Sequence, residues 1–121
     1  MNEDTSTRTP FGMPPYKKYV ALMTQSGSSA PTAVVLENSI GGIAWTRSST
    51  GRYVGTLTGT FPADKTTVML TLGQGPLANV SATYGASRVD ADSVRILTND
   101  TGSLADSLLT DAVVEIRIYL T

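Results

Sequence analysis

The chain has 121 residues, a formal net charge of −1, 40% hydrophobic and 16% charged residues, and neither cysteine nor histidine. This balance excludes a disordered chain, and the even charge gives no electrostatic reason to expect nucleic-acid or membrane partners. The lack of cysteine excludes disulfides and thiolate ligands, and the lack of histidine removes the commonest acid-base catalyst. We therefore expect one globular domain that is not an enzyme and holds no cofactor or metal.

Residues 1–15 predict an extended arm ahead of the domain. The segment is polar at first and then rich in proline, which prevents a helix and favours extended backbone. Phe11 and Met13 are its only strong apolar anchors, so the arm has little surface with which to order itself. It also lacks the basic start and apolar run of a signal peptide, which predicts synthesis in the host cytoplasm. We expect the arm to contact another chain through Pro10, Phe11, Met13, Pro14 and Pro15.

From residue 16 onward, short runs of β-branched and aromatic residues recur between turn-forming residues. They predict eight strands, at residues 18–24, 33–38, 43–47, 52–60, 67–72, 80–84, 93–98 and 112–120. In the last of these, Val114, Ile116 and Ile118 alternate with Glu115 and Arg117, the pattern of a half-buried strand. Residues 102–111 are either a short helix, with Ser103 as its cap, or a turn.

These strands predict an all-β fold, an antiparallel and jelly-roll-like β-sandwich of about seven to nine strands that spans residues 16–121 behind the arm. One side of each strand should face a shared core. The residues expected to be buried are Trp45, Leu57, Val68, Leu70, Val94, Ile96, Ile116 and Ile118.

The stretch WTRSSTGRYVGTLTG, residues 45–59, predicts a β-hairpin whose turn uses Gly51. On its second strand, Gly55 and Gly59 would share a face with larger apolar residues. A glycine weakens a strand unless a large group approaches closely, and Trp45 is the group expected to fill that space.

Asp90 and Asp92 are the one carboxylate pair with possible chemistry. If they shared a strand face, they would offer oxygen ligands to a hard cation such as calcium, or acid-base groups to an enzyme. The sequence RVDADSVR lacks the spaced acids and central glycine of a calcium loop. A solvated turn is therefore the favoured interpretation.

Four aromatic residues carry the main alternative function. Trp45, Tyr53, Tyr84 and Tyr119 either pack in the core and at interfaces, or form an exposed platform on which sugars stack. Isolated aromatic residues in strands more often pack in a core. A glycan-binding module is therefore the alternative to a structural role.

Residues 14–61 contain three elements that resemble a recurring stretch of known proteins: YVALMTQSG (19–27), AVVLENSIGG (33–42) and WTRSSTGRYVGTLTG (45–59). The stretch is similar to small uncharacterised β-rich proteins of tailed phages and prophage-like bacterial regions. It covers a little under half of the chain and contains no catalytic signature.

This resemblance implies a structural virion protein: a capsid decoration, head-fibre or tail-associated module. It also implies assembly through protein-protein contacts, as a homo-oligomer such as a trimer and with capsid or tail subunits as partners. The expected location is then the virion.

Overall fold

The computed structural model describes residues 15–71 and 81–120, and the regular structure within these two ranges is entirely β-strand. The strands of the described residues are β1 (Tyr16–Thr24), β2 (Thr32–Asn38), β3 (Ala44–Ser49), β4 (Arg52–Thr56), β5 (Thr66–Thr71), β6 (Ala82–Asp90), β7 (Ser93–Asp100), β8 (Ser103–Leu104) and β9 (Ala112–Tyr119). Over the same two ranges, no helix is long and apolar enough to cross a membrane.

The strands form two antiparallel sheets that pack together, so the predicted β-sandwich is confirmed. One sheet has the order β2-β1-β9-β5, and the other has the order β3-β4-β7-β6, with β8 paired to the end of β7. Strands β5 and β6 approach each other at one side of the sandwich. The edge strands on the opposite side are therefore β2 and β3.

Each of the eight predicted strands has a counterpart, and two bounds differ by more than two residues. Strand β4 ends at Thr56 rather than at residue 60, because the chain turns: the amide of Thr60 donates to the carbonyl of Leu57 (3.2 Å) and Gly59 has a φ of 69°. Strand β6 continues to Asp90, where its antiparallel pairing with β7 ends.

The segment at residues 102–111 is not a helix. Thr101 and Gly102 have φ values of 55° and 86°, which is the backbone of a tight hairpin turn between β7 and β8. Ser107 and Asp111 also have positive φ, at 65° and 48°, and such residues do not fit an α-helix. Leu108 and Leu109 in this segment are nevertheless buried.

The core lies between the sheets and is built mainly from β1, β4, β7 and β9. Of the eight residues predicted to be buried, the four that are buried are Val94, Ile96, Ile116 and Ile118. The other four pack against the core but are only partly buried: Trp45, Leu57, Val68 and Leu70. The difference follows from position, because β3 and β5 are edge strands and Leu57 lies beyond the end of β4.

The hairpin prediction is confirmed for β3 and β4, with Trp45 directly opposite Gly55. A Cβ atom on Gly55 would lie 2.8 Å from Cζ3 of Trp45 and 2.8 Å from Cγ2 of Ile43, so the glycine does make room for the indole. The prediction for Gly59 is wrong. Gly59 is a turn residue with open space around its Cα, and its positive φ explains the glycine.

Candidate functional site

A connected group of polar side chains ties the β3–β4 turn to the loop before β9. Asp106 in that loop accepts hydrogen bonds from the guanidinium of Arg47 on β3 (Nη2 to Oδ2, 2.8 Å), the amide of Gly51 (3.0 Å) and the hydroxyl of Tyr53 on β4 (2.7 Å). The side chains of Arg47 and Asp106 are only 23% and 17% exposed, so their ion pair is largely shielded from solvent. We call Asp106, Arg47, Tyr53, Gln25 and Gly51 the Asp106 network.

The charges of the Asp106 network are fixed by its hydrogen bonds. The pKa of Asp106 is lowered to about 2, mainly by the hydrogen bond from the guanidinium of Arg47; burial opposes this shift, and the donors at Gly51 and Tyr53 act in the same direction as Arg47. Burial, followed by the hydrogen bond to Asp106, raises the pKa of Tyr53. At neutral pH the aspartate is therefore ionised and the tyrosine is protonated.

Gln25 completes the network from the end of β1. Its Nε2 donates to the carbonyls of Gly27 and Ser29 (both 2.9 Å), while its Oε1 accepts from the amide of Ser107 (2.8 Å). Oη of Tyr53 lies 2.8 Å from the same Oε1, and since a tyrosine hydroxyl has one proton, Gln25 and Asp106 share it. Protein groups occupy the donors and acceptors of this cluster, so it serves as a structural lock between loops.

Asp90 and Asp92 lie in the β6–β7 turn and do not share a strand face. Oδ1 of Asp90 accepts from the amide of Asp92 (2.9 Å) and the hydroxyl of Ser93 (3.0 Å), and the amide of Asp92 is the main cause of the lowered pKa of Asp90. Oδ1 of Asp92 instead accepts from the amide of Gly59 (2.8 Å). Both carboxylates therefore shape turns. Within residues 15–71 and 81–120, no group of three or more acidic side chains is placed to hold a metal ion.

The four aromatic residues do not form an exposed platform. Tyr53 is fully buried, Trp45 donates from Nε1 to the hydroxyl of Tyr19 (3.1 Å), and Tyr84 donates to the carbonyl of Leu108 (2.8 Å). Tyr119 lies on the outer face of the other sheet, against the ring of Tyr16 with centroids 5.2 Å apart. The sugar platform is wrong for these residues, and the interpretation as core and packing residues is correct for Trp45, Tyr53 and Tyr84.

Charges on the outer face of the four-stranded sheet are neutralised in pairs. Lys18 on β1 pairs with Glu37 on β2 at 3.2 Å, and Arg117 on β9 donates from Nε to Glu115 at 2.6 Å. The guanidinium of Arg117 also lies 4.7 Å from the centroid of the Tyr16 ring. This face therefore presents no concentration of one charge.

Strand β2 carries the most exposed run of apolar side chains in the described part of the chain. Val34, Val35 and Leu36 are 58%, 48% and 59% exposed. Val34 is opposite Leu22 on the outer face, whereas Val35 is opposite Ala21, which is fully buried on the core face. Ala33 packs against the core, but Val35 is half exposed on the same side, so the facing sheet does not cover the middle of β2 and this part of the strand overhangs the sandwich. We call β2 and these three side chains the β2 overhang.

The pairing edge of the β2 overhang is short. Val20 is opposite Glu37 and Ala21 is opposite Val35, so Leu36 is an extra residue that forms a bulge. Before that bulge, the regular pairing of β2 with β1 covers only the residues from Thr32 to Val35. An added strand would find a regular edge of this length and apolar side chains on both sides of it.

The predicted arm contacts lie mostly outside the described residues: Pro10, Phe11, Met13 and Pro14. Pro15 is described and exposed, and its carbonyl accepts a hydrogen bond from the amide of Leu120 (3.2 Å). This bond places the end of the arm beside the end of β9 and at the beginning of β1.

Comparison of the chain with protein-family models, with curated proteins and with solved structures finds no match. The candidate site therefore rests on the chain's own geometry. Sequence reasoning missed both the Asp106 network and the β2 overhang.

Proposed function

We propose that this chain is a structural component of a bacteriophage virion, a capsid decoration or head-fibre protein that assembles through protein-protein contacts. The observation that carries the proposal is the β2 overhang, where three consecutive aliphatic side chains stand in solvent on an edge strand. Exposed apolar strand edges pair readily with other chains, and proteins that have no partner for them usually cover or charge them. A subunit of a larger assembly gains such a cover from its neighbour.

The polar groups support a structural role rather than a catalytic one. The Asp106 network and the pair Asp90 and Asp92 are engaged in holding loops and turns. The resemblance of residues 14–61 to small phage proteins gives the virion as the assembly and the host cytoplasm as the place of synthesis. Proposed partners are further copies of the chain, as in a trimer, and capsid or tail subunits.

The glycan-binding module is the weaker proposal, because its aromatic platform is not assembled. Trp45, Tyr53 and Tyr84 all lie on the core side of their sheet, where Tyr53 is fully buried and the other two pack against the core. A binding site on this chain would have to use other residues.

Mass spectrometry of particles released by cells that carry the gene tests the proposal. After gradient purification and a high-salt wash, we expect the chain at a fixed copy number relative to the major capsid protein. A chain that stays in the soluble fraction while intact particles lack it would refute the virion role. The matched control is a host cytoplasmic protein of similar abundance, which should be lost at the wash.

A further inference from the structure

We infer that the β2 overhang of one copy is covered by the N-terminal arm of a second copy, with Phe11 and Met13 as the apolar anchors. This inference rests on the proposed assembly function and names its contact. On the edge strand β2, the side chain of Val34 is exposed on the outer side and that of Val35 on the inner side.

The length of the free edge favours a short occupant. The bulge at Leu36 interrupts the ladder, and Pro31 precedes its first residue, so a long continuous sheet between two β2 strands has no regular template. A segment of three or four residues fits the regular part, from Thr32 to Val35. Main-chain hydrogen bonds would hold such a segment, and its apolar side chains would cover one side of the exposed edge.

The arm contains one segment of this length. Phe11, Gly12 and Met13 retain their amide protons between Pro10 and Pro14, neither of which can donate to a ladder. In an extended strand, Phe11 and Met13 point to the same side, because side chains alternate. That side would extend one of the two apolar sides of the overhang, while Gly12 leaves the opposite side free of bulk.

Chain length excludes the β2 overhang of the same copy as the place where these anchors bind. Val34 lies beside Leu22, six residues beyond Tyr16 along β1, which is about 20 Å from the beginning of that strand. Pro15 continues away from β1, since its carbonyl pairs with the amide of Leu120, and a reversal of the chain takes about four residues. Phe11 is only five residues from Tyr16 and Met13 only three, so neither reaches Val34 of the same copy. A contact between these anchors and a β2 overhang is therefore a contact between two copies.

Each copy then has one donor, the arm, and one acceptor, the β2 overhang. Such a head-to-tail contact closes into a ring if the rotation between copies allows it, and otherwise continues as a chain. A ring agrees with the proposed small homo-oligomer.

The absence of cysteine from the sequence allows a clean cross-linking test of the full chain. Met13→Cys and Val34→Cys are made as separate single-cysteine proteins of different tag mass, mixed, and treated with a short bismaleimide. We expect a mixed dimer at least tenfold more abundant than with Val89→Cys in place of Val34→Cys. Val89 is the matched control because it is 43% exposed on β6, the edge strand of the other sheet. Equal yields for the two mixtures overturn the inference.

Sedimentation across a concentration series gives a second readout. The change Val34→Lys with Leu36→Lys should raise the dissociation constant of self-association at least tenfold, and Val89→Lys should leave it within twofold. Both sites are exposed, and circular dichroism checks that each variant remains folded. If the native chain self-associates and the double variant does so equally well, the inference is overturned while the virion role stands. If the native chain is monomeric at every concentration, the inference is also overturned, and the particle composition decides the virion role separately.

Discussion

The substitution Asp106→Asn tests whether the Asp106 network locks the loops as the structure indicates. Asparagine keeps the shape of the side chain, and its Oδ1 can still accept from the amide of Gly51 and the hydroxyl of Tyr53. It removes the negative charge that accepts from Arg47 (2.8 Å) and places a donor near the guanidinium. Exposed ion pairs contribute up to about 1 kcal/mol and broken buried pairs cost about 3 to 5 kcal/mol. With about a fifth of each side chain exposed, we expect a loss of about 2 kcal/mol.

The pH dependence of this loss identifies its electrostatic part. The pKa of Asp106 is about 2 in the folded protein, below the ordinary value of about 3.9 in an unfolded chain. The ionised aspartate therefore stabilises the fold at every pH above about 4, and this contribution disappears as the pH falls towards 2. After allowance for solvent screening, the contribution is about 1 to 2 kcal/mol. The deficit of Asp106→Asn should accordingly shrink by about that amount between pH 4 and pH 2.

Urea unfolding followed by the fluorescence of Trp45, the sole tryptophan, measures both effects. Asp64→Asn is the control, because Asp64 is exposed and has a positive φ that asparagine tolerates. We expect it to stay within about 0.5 kcal/mol of the native protein at each pH. A stable Asp106→Asn variant at pH 7, or a deficit that is unchanged at pH 2, would show that the ion pair does not lock the loops.

Three further changes test the core, the hairpin and the arm. Ile116 is a fully buried residue of β9, and Ile116→Ala should lower the free energy of unfolding in urea by about 2 to 5 kcal/mol. An unchanged midpoint would mean that the core face of β9 is misassigned. Gly55→Ala should cost about 1 to 3 kcal/mol and shift the emission of Trp45, whose ring the new Cβ would meet at 2.8 Å. Gly42→Ala, with open space and no positive φ, should do neither. Deletion of residues 1–13 should leave the thermal midpoint nearly unchanged but abolish incorporation into the oligomer or particle. If the truncated protein unfolds yet still assembles, the arm is instead a strand of its own sandwich.

Strand positions were predictable where one side of a strand is apolar and the other polar. In β9 the alternation of Val114 and Ile116 with Glu115 fixes the core face without any knowledge of the partner strands. In β1 the apolar residues are continuous, since Val20 and Leu22 on the outer face are as apolar as Ala21 on the core face. Periodicity then gives a strand but not its orientation, which is why the buried side of β1 was not identified.

The Asp106 network could not be predicted from local sequence, because its members are far apart along the chain. Arg47 and Asp106 are 59 residues apart, and Tyr53 and Asp106 are 53 apart. One signal was nevertheless present. Arg47 alternates with Ile43 and Trp45 and so falls on the core side of its strand, where a guanidinium needs a carboxylate. That position predicts a buried acidic partner, although not which of the ten acidic residues it is.

The β2 overhang shows why alternation cannot predict exposure at the edge of a sandwich. Residues 33–36 are apolar without interruption, a pattern that is typical of a strand covered on both sides. The fold gives β2 a neighbour on one edge and leaves both sides of its middle in solvent, because the facing sheet stops short of Val35. Local sequence specifies the apolar character, whereas the relative widths of the two sheets decide whether the same chain provides the cover. Where it does not, the apolar side chains stay exposed in the single chain, and the arm of a second copy is the cover that we infer for them.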